Sequence, residues 1–308
     1  MQKKCFGIIP PIVTPIDENE RVVESELRAM VEHCIKAGMH GIFVAGSNGE
    51  GMSLIQSERD RAVKITLDQC GDRLPVFAGA MDTSTRRVIE NVKRLEQMGG
   101  RCAVVTPEFY ARHATPKETI RHFEAIARNT KIDIVIYNIP LFTNCTLRAE
   151  SIFKIAEIDN VVAYKDSASM VGETIKCINH FKNTPFAVLQ GMVNLSAVSM
   201  LLGADGFVPS IGPLFPKACL KVYEHGRKGD IEGTMYWNAI MTEAQEICNL
   251  GKNATTSMKY AISLLGLTND RMTLPFEPLT AEEKDEIRSR TRQMMEFLEK
   301  DDDPTPKS

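Results

Sequence analysis

The run VVAYKDSA, residues 161–168, is apolar until it ends on Lys165 and Asp166. A lysine at the dry end of a buried strand is costly, because burial disfavours an ammonium. A neutral amine held in a pocket can attack a ketone to give a Schiff base, whose protonated nitrogen then serves as an electron sink. The competing reading is structural: Lys165 snorkels to water or pairs with Asp166. Tyr137, in DIVIYNIP (133–140), offers a phenol that can relay protons to and from substrate oxygens, or an aromatic that caps a core. GSNGE (46–50) offers backbone N–H groups with the Ser47 and Asn48 side chains, suited to a carboxylate or to passing on a proton, or is simply a Gly-rich turn. It lacks the G-x-S-x-G spacing of a nucleophile elbow, and no catalytic histidine accompanies it.

These groups matter together only if the elements carrying them share one end of the fold. Short apolar or β-branched runs alternate with stretches of helical periodicity: GIIPPIVTP, GIFVAG, PVFAGA, CAVVTP, DIVIYNIP, VVAYKDS, FAVLQG and GFVPSIG each precede an amphipathic segment. SERDRAVKITLDQCG (57–71) is one such helix, with Ser57 as N-cap and Gly71 as its stop. Eight such units in about 225 residues predict a (β/α)8 TIM barrel, residues 1–228, whose parallel strands are covered on both faces. A doubly wound sheet is the alternative, without a GxGxxG after the first strand to support it. Residues 229–300 read as a three-helix C-terminal extension, with Thr280 and Glu283 forming a capping box, and 301–308 as a disordered tail. In a TIM barrel the active site gathers at the carboxyl ends of the strands. One lysine, two tyrosines (Tyr110 and Tyr137) and several hydroxyl and amide groups would converge there.

Composition narrows the class. The chain of 308 residues is 43% hydrophobic and 25% charged with a net charge of −3, which gives no reason to expect nucleic acid or a membrane as partner. The apolar stretch at the start is short and broken by Pro10, Pro11 and Pro15, unlike a signal peptide. The eight cysteines are dispersed without a CxxC and read as reduced packing residues of a cytoplasmic protein. The six histidines lack metal-ligand spacing, so no metal is expected.

GSNGEG (46–51), VTP (105–107), YNIP (137–140), YKDS (164–167) and GADGFVPS (203–210), in this order, resemble the dihydrodipicolinate synthase/N-acetylneuraminate lyase family over essentially the whole chain. The resemblance implies a class I pyruvate aldolase on a (β/α)8 barrel, a homodimer or homotetramer with no cofactor, acting on pyruvate and a small aldehyde or 2-oxo acid. It implies that Lys165 is the Schiff-base lysine and Tyr137 the proton shuttle. Ser47 and Asn48 would bind the pyruvyl carboxylate, with Gly46 in the same turn and Ser47 in a proton relay. Gly191, Ile211 and Ser167 would lie near the 2-oxo acid. Phe109 or Tyr110 would take the place of the family's second tyrosine, which reaches a neighbouring subunit's site.

Departures from the pattern bear on substrate. Phe142 stands where synthases carry the arginine that holds a distal carboxylate, and an aromatic does not replace a bidentate cation. Met192, Val193 and Asn194 stand where sialic-acid lyases carry an acidic pair. GSNGE and KDS instead resemble the 4-hydroxy-2-oxoglutarate and 2-keto-3-deoxy-sugar-acid aldolase branches, and this resemblance implies reversible cleavage of a 4-hydroxy-2-oxo acid of either type. The rivals are a dehydratase or hydratase working through the same imine, the synthase, the N-acetylneuraminate lyase, and a barrel that binds a 2-oxo acid without turnover.

Overall fold

The computed structural model describes residues 3–111 and 113–300, so the expected tail (301–308) lies outside the described residues. Strands and helices alternate: β1 (Gly7–Ile8), α1 (Glu24–Lys36), β2 (Ile42–Val44), α2 (Gln56–Cys70), β3 (Val76–Gly79), α3 (Thr85–Gln97), β4 (Cys102–Val105) and α4 (Pro116–Ala127). They continue as β5 (Asp133–Asn138), a one-turn α5 (Pro140–Thr143), α6 (Ala149–Ile155), β6 (Val161–Asp166), α7 (Val171–Phe181), β7 (Ala187–Gln190), α8 (Ser196–Leu201), β8 (Gly206–Phe207) and α9 (Pro216–Lys228). Three helices follow, α10 (Ile231–Glu246), α11 (Ala254–Ser263) and α12 (Ala281–Lys300).

The eight strands pair in parallel, β2 through β8 in chain order, with β1 beside β8. The sheet curls until its edges meet at one parallel bridge between Pro11 and Phe43. There the Phe43 N–H donates to the Pro10 carbonyl (3.0 Å) and the Ile12 N–H to the Phe43 carbonyl (2.9 Å). The expected first strand, GIIPPIVTP, shrinks to two residues because Pro10 and Pro11 have no N–H for a ladder.

Side chains alternate between two cores, which is why the strands read as continuous apolar runs. Phe43, Val104, Val135, Ala163, Leu189 and Val208 fill the barrel interior. Their neighbours Val44, Val105, Ile136, Tyr164, Val188 and Phe207 pack outward against the helices. The same period turns Tyr137 and Lys165 inward and Asp166 outward.

Helix ends follow the sequence with one exception. Gly71 ends α2 at φ +54°, where a residue without Cβ is favoured. Ser57, expected to cap α2, lies inside it, since the cap falls two residues earlier, at Ile55, with no side-chain hydrogen bond. Thr280 and Glu283 make the expected capping box on α12: the Thr280 N–H donates to Oε2 of Glu283 (2.7 Å) and the Glu283 N–H to the Thr280 hydroxyl (3.2 Å). α10 packs on α9 and α8, and α11 on α12.

Candidate active site

Strands β5 and β6 bring the two principal groups together. Tyr137 and Lys165 are Cα partners in the ladder, both pointing into the barrel at its carboxyl end. Lys165 is 5% exposed, with Nζ 3.8 Å from the centroid of the Tyr137 ring and 5.0 Å from that of Phe43. The amine thus rests on two aromatic faces, which hold it without locking it in an ion pair. Asp166 does not engage it. The Asp166 carboxylate faces the helices, accepting from the Tyr164 hydroxyl (2.8 Å), the Thr174 hydroxyl (2.5 Å) and the Ala168 N–H (3.1 Å).

Gly191 fits this arrangement because nothing larger would. A Cβ there would lie 2.1 Å from Oγ of Ser167 and 3.1 Å from Cε of Lys165, and its N–H donates to the Asp166 carbonyl (2.6 Å). Gly191 and Ser167 therefore flank Lys165 directly. A Cβ would also meet the Asp166 carbonyl oxygen at 2.6 Å, so Gly191→Ala is expected to push Ser167 and the end of β6 out of place beside Lys165. If Lys165 forms the imine that the family resemblance implies, trapping of pyruvate there should fall at least about tenfold, read by mass spectrometry after borohydride reduction.

A cavity of ≈ 330 Å³ opens above Tyr137. Ser47, Thr106, Phe109, Tyr137 and Phe142 line it from the barrel loops, and Asn253, Thr255 and Phe276 from the C-terminal extension. Lys165 lies behind the Tyr137 ring rather than on the wall. Ser47 and Tyr137 share the cavity without a hydrogen bond between them, so a relay needs a substrate oxygen or water in the gap.

Other expected site residues are placed elsewhere. Asn48 turns away from the cavity and donates to Sδ of Met258 (3.4 Å), drawn by the packing of its turn on α11. Gly46 backs the Phe43 ring, which a Cβ would meet at 2.7 Å. Ile211 is fully buried off the cavity wall, its carbonyl taken by the Leu214 and Phe215 N–H groups. Phe109 lies on the cavity wall, whereas Tyr110 is 97% exposed at φ +75° and points away from the body of its own chain.

Sequence reading missed two clusters. Glu50, directly after the Gly-rich turn, forms a buried ion pair with Lys259 of α11; the only signal was a lysine inside the apolar stretch MKYAISLL. Glu108, just before Phe109, gathers His113 (3.0 Å), His122 (3.2 Å) and Thr85. His122 above all holds the Glu108 carboxyl well below the usual carboxylate range. A carboxylate depressed on folding contributes stability above its unfolded value, near 4.3, and that contribution is lost as pH falls through the folded value. Glu108→Gln is therefore expected to lower Tm at pH 7 and to flatten its decline below about pH 4.

The outward side of β6 is a keystone. Besides Asp166, the Tyr164 hydroxyl meets Nδ2 of Asn138 (3.1 Å), which also donates to the Leu147 carbonyl. Asp166→Ala would strand these buried donors at a cost of roughly 2–4 kcal/mol in denaturant unfolding, while the inward face is preserved. The cysteines are free; burial pushes the Cys34, Cys177 and Cys248 thiols up to about 12, which suits packing rather than nucleophilic attack. Among the described residues no helix is long and apolar enough to cross a membrane.

Comparison with known proteins agrees with the geometry. The family model described as "Dihydrodipicolinate synthetase family" matches residues 4–294. A 4-hydroxy-tetrahydrodipicolinate synthase of Xanthomonas campestris pv. campestris is 30% identical over 275 residues, 89% of this chain and 90% of the relative. The crystal structure of YagE, a prophage protein of the same family from E. coli K12, in complex with pyruvate, superposes with a TM-score of 0.89 at 26% identity over 95% of this chain and 99% of that one. The dihydrodipicolinate synthase of Bacteroides thetaiotaomicron does so with a TM-score of 0.89 at 28% identity over 95% and 100%. With its parallel barrel strands, its inward Lys165–Tyr137 pair and a match running almost end to end, the chain belongs to the dihydrodipicolinate synthetase family.

Proposed function

We propose that Lys165 forms a Schiff base with pyruvate and that the resulting enamine makes or breaks a carbon–carbon bond with an aldehyde partner. Family membership makes the chain a pyruvate-dependent carbon–carbon lyase of the aldolase type; the residue roles and the partner are the proposal. The observation that carries it is the buried Lys165 amine lying on the Tyr137 ring at the carboxyl end of β6.

In the cleavage direction the amine adds to the C2 ketone and water leaves, giving an iminium. Tyr137 takes the C4 hydroxyl proton as the C3–C4 bond breaks, and the bonding pair moves into the iminium to give an enamine. The aldehyde departs, C3 is protonated, and hydrolysis returns pyruvate and the free lysine. Condensation is the same path reversed. Ser47, on the cavity wall, would bind the pyruvyl carboxylate or bridge to Tyr137 through a substrate oxygen.

Two partners are in play. The relatives from Xanthomonas campestris pv. campestris and Bacteroides thetaiotaomicron are named synthases, and this favours the condensing reaction of 4-hydroxy-tetrahydrodipicolinate synthase over the cleavage of a 4-hydroxy-2-oxo acid that the sequence put first. The second reading rests on the cavity wall: Phe142 is there, 56% exposed, and no lysine or arginine is among the described lining residues. Such a wall suits an aldehyde without a distal carboxylate. Borohydride reduction with pyruvate tests the imine, and NMR of products from an aldehyde panel tests the partner. Turnover of aspartate semialdehyde would establish the synthase, and turnover of uncharged aldehydes alone would exclude it. Phe142→Arg, at a site exposed enough to accept it, is expected to improve kcat/KM for a carboxylate-bearing aldehyde about tenfold or more. A homodimer or homotetramer, the family expectation, would cover the exposed Tyr110.

A further inference from the structure

We propose that Lys259 is a positioning residue for the pyruvate end of the site, acting through Glu50 on the turn that carries Ser47. The inference rests on the imine reading above and assigns a task to the C-terminal extension within it. The turn between β2 and α2 is held in a conformation that its own residues disfavour. Ala45 and Glu50 both adopt φ +54°, the left-handed region that L side chains avoid. Close approaches leave it no slack: a Cβ on Gly51 would lie 2.1 Å from the Ala45 carbonyl oxygen, and one on Gly49 2.9 Å from that of Ile12.

The turn closes on its own backbone through the Glu50 and Gly51 N–H groups, and from outside the Thr14 hydroxyl donates to the Gly49 carbonyl (2.7 Å). Its one charged side chain, the Glu50 carboxylate, is gripped by the C-terminal extension. One oxygen accepts from Nζ of Lys259 (2.7 Å), the other from the N–H and hydroxyl of Thr273 (both 2.8 Å). Lys259 and Thr273 are fully buried. Burial pushes the Lys259 ammonium below its usual range, while Glu50 pulls the other way. Solvation alone would not keep a charge in such a place, and among the described residues its ion-pair partner is Glu50 of the turn. Met258, the residue before Lys259, receives Asn48 of the same turn, and the same helix presents Thr255 to the cavity. α11 therefore both walls the cavity and pins the loop from which the Ser47 hydroxyl reaches it. A hydroxyl misplaced by about 1 Å can cost up to a hundredfold in rate or binding.

The test uses the full chain, with pyruvate as ligand and borohydride trapping as readout. Glu50→Gln/Lys259→Met removes both buried charges, so the fold is expected to persist with a Tm close to that of the unaltered chain. The pyruvate concentration for half-maximal trapping is expected to rise about tenfold or more, while saturating pyruvate still labels Lys165. Thr273→Val removes one donor to Glu50 and is expected to shift half-saturation the same way by about threefold to tenfold, which decides the matter if the double variant does not fold. Unchanged half-saturation in the folded variants, whatever their Tm, would mean that the pair only supports the fold and would overturn the proposal. Failure of the unaltered chain to be trapped would sink the imine reading itself, a distinguishable result.

Discussion

Lys165→Ala is expected to abolish the pyruvyl adduct and to lower turnover by roughly 10⁴-fold or more, because the covalent route is lost as a unit. The position makes this prediction sharp. Among the described residues no lysine lines the cavity that could take over, and Lys259 is committed to Glu50. The variant should still fold, since among the described residues Lys165 has no ion-pair partner to strand, and Asp166 keeps its own donors. Adding methylamine should not restore trapping at residue 165, although it could restore a little turnover by forming an imine in the vacated space. An adduct of unchanged yield in Lys165→Ala, mapped to another residue, would refute the assignment.

Tyr137→Phe separates proton transfer from imine formation. The ring that supports the amine remains, so pyruvate should still be trapped on Lys165. The carbon–carbon step loses its phenol, and kcat should fall about 10²–10⁴-fold, the usual range for a positioned acid–base group. Burst analysis of one turnover would show imine formation preserved and aldehyde release slowed. If trapping and kcat fall together, Tyr137 serves chiefly as the floor of the lysine. If neither falls, a different group moves the proton.

Much of this was legible before any fold was drawn. Strand-ending residues revealed Lys165 and Tyr137 because a buried parallel strand makes any polar ending conspicuous. The period of two also decides what Asp166 does, yet the sequence alone left its pairing open, since neighbours on a strand differ in face and not in composition. Asn48 shows the opposite limit: its side chain answers to Met258, 210 positions away, a contact no local pattern encodes. Ser57 failed as a cap because the helix could begin two residues earlier at no great cost. The substrate end is least legible, because Asn253, Thr255 and Phe276 reach the cavity from segments that read as ordinary helix ends and loops.

The seam where β1 meets β2 has a consequence for motion. Two prolines there donate nothing, and three backbone hydrogen bonds, His40 to Ile8, Phe43 to Pro10 and Ile12 to Phe43, hold it. Its backbone hydrogens should therefore exchange faster than those of the longer β5–β6 ladder. The residue on the far side of that seam is Phe43, whose ring lies under the Lys165 amine. Any breathing of the barrel at this seam is therefore felt by the cushion beneath the Lys165 amine, and a bound pyruvate that steadies the lysine, as the proposed imine would, should in return slow exchange at Ile12 and Phe43.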